Sequence, residues 1–389
     1  MGIRIGTRMD ADNSYRLFFV DHLRASLAIL VVLHHVAVVY GGIPPFYYWE
    51  PVSEESAPYL VLLTFVLNNQ AWFMGAFFLL AGYFTPGSYD RRGAGSFLKA
   101  RLVRLGIPLL VFIFVLNPLS SIAWFSMPAS VTGNSDPFTW QAYPYLLGAG
   151  PLWFVAMLLI FSFGYAAWRG LTGKRTRTSA GESSLPSAFL IGLFILALAV
   201  VSYLVRIIVP LGEYFTLFVY FLSFPTMAYF PQYLSFFVLG AVASRHDWFR
   251  TVPRSAGVAG YAAAVVAFFL LFVPALLGCS NGECLGNGHW QSAVYALWDS
   301  ITVVGMCLGL VVLFRRFFSG QGGFGRFLSK HSYAVFVLHI PVVVYLAVAL
   351  RGTGLAPLLK FVVVSLIGVP ASFAVAAIIR SIPGVSRVL

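Results

Sequence analysis

The apolar run from Leu17 to Tyr40 carries five ionisable side chains: Asp21, His22, Arg24, His34 and His35. A run of this length can cross a bilayer, which takes about 20 residues. Each ionisable group placed in hydrocarbon costs about 2.5 kcal/mol or more. A helix that served only as an anchor has no reason to carry five. Arg24 and His35 are eleven residues apart. At about 100° and 1.5 Å per residue they share one helix face and stand roughly 16 Å apart along the axis. Asp21 lies one turn before Arg24, where it can hold the guanidinium. One face thus offers a fixed cation near one membrane surface and an imidazole near the other. Such a pair can grip an anion at one end and move a proton at the other. A buried ion pair with packed histidines is the structural alternative. A single histidine would favour that alternative; the whole constellation favours chemistry.

Further polar groups sit in apolar surroundings downstream. Lys99, Arg101 and Arg104 stand at the mouth of a third apolar run, and Arg101 and Arg104 share a helix face. They suit lipid phosphates, reached by snorkelling, or the phosphates of a cytosolic ligand, for which arginine offers a bidentate fork. Arg206 lies near the outer end of a fifth run, with Glu213 seven residues on as a candidate partner. Asp299 lies inside the eighth run without a local partner, so it finds a cation on another helix or carries a proton. His339 is mid-span in the ninth, followed by Pro341. The amides Asn68, Asn69 and Gln70 most simply bond neighbouring helices, and Gly75, Ala76, Ala81 and Gly82 allow close helix packing. Cys279 and Cys284 share a loop and either pair or remain two thiols; Cys307 lies within a span, as packing. No metal-ligand spacing is present, so no metal is expected.

The elements that must position these groups are membrane helices. Of 389 residues, 59% are hydrophobic and 10% charged, and the mean hydropathy is +0.85. That composition is that of an all-α polytopic membrane protein. Ten spans are predicted, at 17–40, 59–84, 105–126, 151–168, 187–209, 224–244, 257–277, 292–314, 331–350 and 357–379. Pro108 and Pro118 are expected to kink the third. The segments before, between and after the spans alternate in charge, and one alternate set holds 21 of the 25 Lys and Arg. By the positive-inside rule that set is cytoplasmic, together with both termini. An even number of spans satisfies this split. Residues 1–16 read as a polar, basic cytoplasmic tail and not as a signal peptide, 17–380 as the transmembrane domain, and 381–389 as a second cytoplasmic tail. No hydrophilic stretch is long enough for a soluble domain. The net charge of +12 does not imply nucleic acid, because no basic run with interleaved aromatics lies on a soluble face. Membrane lipids are the expected partners of the loop cations. The outer loops 41–58 and 127–150 are rich in Pro, Gly, Tyr and Trp and form either a lid or sugar-contacting surface, or an interfacial belt.

The spacing of Arg24, ten residues, then His35 resembles the Arg-X10-His signature of the acyltransferase-3 family of integral membrane acyltransferases. Phe77 to Phe84 resembles that family's Phe-Phe-hydrophobic-Ser-Gly segment, with Ala81 where Ser is usual. Arg101-Leu102-Val103-Arg104 before Pro108 is similar to its Arg-x-x-Arg entry to the third span. Leu152-Trp153-Phe154, and Ser332-Tyr333 with Leu338-His339, are similar to two further segments, in the family's order. Within the family the resemblance is strongest to succinyltransferases of periplasmic glucan synthesis, also at Tyr229-Phe230-Pro231, Arg206 and Asp299.

The resemblance implies ten core spans in a bacterial inner membrane. It implies transfer of an acyl group, succinyl or acetyl, from cytosolic acyl-CoA as co-substrate to an extracytoplasmic polysaccharide or oligosaccharide. Arg24, Arg101 and Arg104 would then hold the CoA phosphates. His35 would act as general base on the acceptor hydroxyl, or as a nucleophile through an acyl-imidazole. Asp299 or His339 would orient that imidazole or relay its proton, and Arg206 with Trp153 would contact the acceptor sugar. One continuous cavity linking Arg24 to His35 is expected, and a homodimer is compatible. The competing class is a proton-coupled secondary transporter using Asp21, Arg24, His35 and Asp299. It calls for inverted repeats and matching broken helices, and the sequence displays neither clearly.

Overall fold

The computed structural model describes residues 17–389 apart from 135, 174–184, 218–221, 226, 280–281 and 321. The basic tail 1–16 and the loop cations Lys174, Arg175 and Arg177 lie outside the described residues. Among the described residues ten helical stretches are long and apolar enough to cross a membrane: Phe18–Tyr40, Ala57–Arg92, Ala94–Ser126, Trp140–Thr172, Ala188–Ile208, Met227–Arg245, Arg254–Leu277, Trp290–Phe317, Gly323–Ala349 and Pro357–Ser381. They coincide with the ten predicted spans. They run longer at several ends, because helices continue past the apolar core into the basic loops. The protein is a multi-pass membrane protein. The first span is the most deeply buried and the fifth the least. Of its ionisable residues Asp21 and His34 are buried, while His22, Arg24 and His35 are partly exposed.

The second, third and seventh spans are broken or widened along their length. The second breaks at Ala71–Trp72, between helices Ala57–Gln70 and Phe73–Arg92. Backbone freed inside a membrane needs a partner. Gln232 supplies one, its Nε2 donating to the Ala71 carbonyl at 2.7 Å. In the third span wide π-turns at Leu102–Gly106 and Phe112–Leu116 precede Pro108 and Pro118, and in the seventh Phe268–Phe272 precedes Pro274. A proline ring crowds the carbonyl four residues back and lacks an N–H, and a wider turn relieves both. The expected kink of the third span is taken up in this way.

Glycine brings the second and sixth spans into close contact. A Cβ on Gly82 would collide with the Phe237 backbone, and one on Gly240 with the Leu79 carbonyl. This matches the small-residue packing read from the sequence. At the basic end, Asp90 receives Arg169 and Arg245, each at 2.9 Å, tying the second, fourth and sixth spans together. At the opposite end Lys360 holds Glu50 at 2.7 Å. Cys279 and Cys284 are joined as a disulfide, and Cys307 is a buried free cysteine. Strands Phe215–Leu217 and Leu222–Phe224 pair antiparallel before the sixth span.

Candidate active site

The first and ninth spans bring two imidazoles together. His339 Nε2 lies 3.1 Å from His35 Nδ1, across 304 residues of sequence. Each ring is also tied to its own helix. His35 Nδ1 is 2.9 Å from the Val31 carbonyl, and His339 Nδ1 is 2.8 Å from the Phe336 carbonyl. A carbonyl oxygen only accepts, so each Nδ1 carries the proton. His339 Nε2 is then an acceptor for the shared His35 Nδ1–H. The lone pair of His35 therefore sits on Nε2, which makes no hydrogen bond among the described residues. His35 is half-buried while His339 has no exposure. Such a pair can serve as a base through one unbonded nitrogen, with its tautomer set by the Val31 carbonyl and the second imidazole. His34 packs instead, stacked on Phe73 with centroids 4.9 Å apart.

Toward the basic end lies a cavity of about 420 Å³. Val20, Arg24 and Ala28 form one wall, successive turns of the His35 face of the first span. Ser329, Ser332, Tyr333 and Phe336 line it from the ninth span, on the face that leads to His339. Arg24, Arg101 and Arg104 all reach it, as the sequence grouped them. Arg91, Arg92, Lys330 and Arg380 join them. The sequence had assigned these four to loop topology only, and their clustering carries no local signal. No Asp or Glu side chain lines the cavity among the described residues. Asp21 accepts from Arg24 Nη2 at 3.1 Å, as expected from their spacing. Arg101 Nη2 donates to Thr85 Oγ1 at 3.1 Å, and Tyr333 donates its hydroxyl proton to the Arg104 carbonyl at 2.7 Å. The deeper wall is apolar, with Leu80, Ala81, Leu105 and Leu158. Such a shape suits a ligand with an anionic head and a thin apolar arm.

The expected continuous cavity from Arg24 to His35 is interrupted. Phe77, Phe154 and Phe336 close its inner end, their centroids 5.6–5.9 Å apart. Aromatic rings pack edge to face at this separation and fill the space between spans. Phe336 in turn touches His339, with centroids 6.1 Å apart. The histidine pair sits just beyond this roof.

The remaining sequence candidates gather elsewhere. Arg206 and Asp299 form a buried ion pair across the fifth and eighth spans, 93 residues apart. The local candidate, Glu213, is not the partner. The guanidinium lies between the Tyr229 and Tyr295 rings, 4.9 and 5.4 Å from their centroids. Asp299 is thus committed to Arg206, and His339 alone takes the place beside His35. Arg206 is fully buried, and Trp153 stacks on Tyr233 with centroids 5.3 Å apart. On the side of His35 away from the cavity, Phe46 stacks on its ring, 5.4 Å between centroids and 19° between planes. Phe46 belongs to the outer loop read as a lid or belt; its specific contact had no sequence signature.

A family model described as an acyltransferase domain, that of the acyltransferase-3 family, matches residues 17–380. Glucans biosynthesis protein C of Salmonella paratyphi B is 24% identical over 355 residues, covering 85% of this chain and 83% of that protein. The protein of the same name from Salmonella schwarzengrund is 23% identical over 352 residues, with the same two coverages. No solved structure matches the chain.

Proposed function

The chain belongs to the acyltransferase-3 family, and we propose that it moves a succinyl or acetyl group from acyl-CoA to a hydroxyl of an extracytoplasmic glycan. Glucan is the acceptor favoured by the names of its relatives. The basic end faces the cytosol of a bacterial inner membrane in this reading, following the positive-inside rule. The observation that carries it is the stacking of parts along one helix face: a cationic cavity at Arg24, then an open imidazole nitrogen at His35.

Arg24, Arg101 and Arg104, with Arg91 and Lys330, hold the donor phosphates. The pantetheine arm follows the apolar wall, and the Phe77–Phe154–Phe336 roof parts to admit the thioester. His35 Nε2 takes the proton of the acceptor hydroxyl as its oxygen attacks the thioester carbonyl. His339 Nε2 accepts from the imidazolium Nδ1–H so formed and holds the ring in place. The carbon–sulfur bond breaks, and the thiolate collects that proton from His35 to leave as free thiol. Asp299 and Arg206 act at a distance, bracing the fifth and eighth spans behind the acceptor side. Placement at a roofed histidine pair keeps both substrates away from bulk water until they meet.

The test uses purified protein in liposomes with labelled acyl-CoA and an oligoglucan. His35→Ala is expected to abolish labelled ester while donor binding, read by calorimetry, persists. Continued turnover by His35→Ala would refute the role given to the imidazole. No ester from the unaltered protein with either donor would refute the reading as a whole.

A further inference from the structure

The outer loop after the first span is held at both ends and carries one ring onto the reactive histidine. Ile43 N–H donates to the Val38 carbonyl and Glu50 N–H to the Val39 carbonyl, each at 3.1 Å. Trp49 is buried against Trp124, and Glu50 is held by Lys360. Between these anchors Pro44 and Pro45 are exposed, and Phe46 lies flat on His35. Tyr47, the next residue, donates its hydroxyl proton to Asn117 Oδ1 of the third span. Asn117 Nδ2 donates to the Leu146 carbonyl at 2.6 Å, so the two outer loops share one fastening. Gly150, at φ +43°, admits it: a Cβ there would collide with the Tyr47 hydroxyl and with Asn117.

We propose that Phe46 is the cover of the His35 base on the acceptor side, keeping water from the imidazole until a sugar ring takes its place. This deepens the reading above and rests on it. His35 is bounded by His339 along its Nδ1 edge and by Phe46 on one face. His34 meets the ring edge to face, with centroids 5.4 Å apart, and the roof of phenylalanines lies toward the cavity, so a sugar ring that lays its face on the imidazole from the outer side takes the Phe46 position. Water entering the same way is a competing nucleophile. Its oxygen attacks the thioester carbonyl, His35 takes the proton, and the carbon–sulfur bond breaks to give free carboxylic acid and free thiol. A sugar ring offers an apolar C–H face of about the breadth of the phenyl ring, and can replace that ring against the imidazole while presenting a hydroxyl. The bond from Tyr47 to Asn117 sets how readily the loop tip yields.

Two readouts separate this proposal from the function it rests on. The first is the rate at which diethyl pyrocarbonate modifies His35, followed by peptide mass spectrometry on the full chain in liposomes. Phe46→Ala is expected to speed modification several-fold, Phe46→Trp to leave it at the unaltered rate, and Tyr47→Phe to give an intermediate rate. The second is the ratio of thioester hydrolysis to transfer, which is expected to rise in Phe46→Ala and not in Phe46→Trp. An unchanged modification rate in both Phe46→Ala and Tyr47→Phe overturns the cover. Faster modification with an unchanged ratio overturns the exclusion of water. Should Phe46→Ala fail to fold, Tyr47→Phe decides both readouts. If the unaltered protein transfers no acyl group, the proposed function fails, while the modification rates still judge the cover.

Discussion

Asp299→Ala would strand a guanidinium that is fully buried. Arg206 is 0% exposed and Asp299 2%. Apart from Asp299, the guanidinium has two tyrosine faces, while its Nε and Nη1 find no hydrogen-bond acceptor among the described residues. Removing one member of a buried pair costs about 3 to 5 kcal/mol, because the other charge stays buried without its partner. Arg206→Ala should cost a similar amount by leaving the buried carboxylate with no cation, held by the Ser300 backbone and a 3.4 Å contact from Ser300 Oγ. The double variant Arg206→Met/Asp299→Leu carries no charge and keeps most of the volume. It forfeits the contact with the two rings, worth about 2 kcal/mol when desolvated. The single losses then sum to at least about 6 kcal/mol against about 2 for the double, a coupling of about 4 kcal/mol. Detergent-solubilised protein titrated with dodecyl sulfate reports this through the fluorescence of its nine tryptophans. A loss under about 1 kcal/mol for Asp299→Ala, the worth of an ordinary hydrogen bond, would refute the buried pair. So would a double variant that loses the sum of the singles. A double variant that folds well yet loses acceptor affinity would move Arg206 from brace to substrate contact.

Arg101→Gln should weaken binding of an acyl-CoA measured calorimetrically by about 10- to 150-fold, the equivalent of one charge-assisted hydrogen bond of about 1.5 to 3 kcal/mol; unchanged affinity would count against the basic cavity as the donor site. Gln232→Leu leaves the Ala71 carbonyl unmet at the break in the second span, and the same dodecyl sulfate titration should show a loss of about 1 to 3 kcal/mol. A loss within the error of that titration would mean that the break is satisfied by other means.

Some of this architecture is local, and local features are readable in a sequence. Apolar runs interrupted by clustered Lys and Arg mark the ten spans, since hydrocarbon tolerates little else. Arg24, Asp21 and His35 fall on one side of the first span through helical periodicity alone, and the Asp21–Arg24 bond follows from a spacing of three. The π-turns were legible only in part. Pro108 and Pro118 announced a disturbance, and its form came from backbone crowding within the helix. Arg206 illustrates the limit of proximity. Glu213 is near in sequence, yet Arg206 is paired with Asp299, 93 residues away, because full burial demands a carboxylate inside the same dry layer.

What the chain determines by itself is the class, the spans and the residues able to do chemistry, because each depends on composition or on the regular pitch of one helix. Tertiary structure alone decides their company. Packing of the first span against the ninth sets His339 behind His35 and fixes which nitrogen is open. Packing of the second, fourth and ninth spans puts three phenylalanine rings between the cations and that nitrogen. These contacts join residues tens to hundreds of positions apart, where no periodicity reaches, so only the folded bundle determines whether the path to His35 is open or shut.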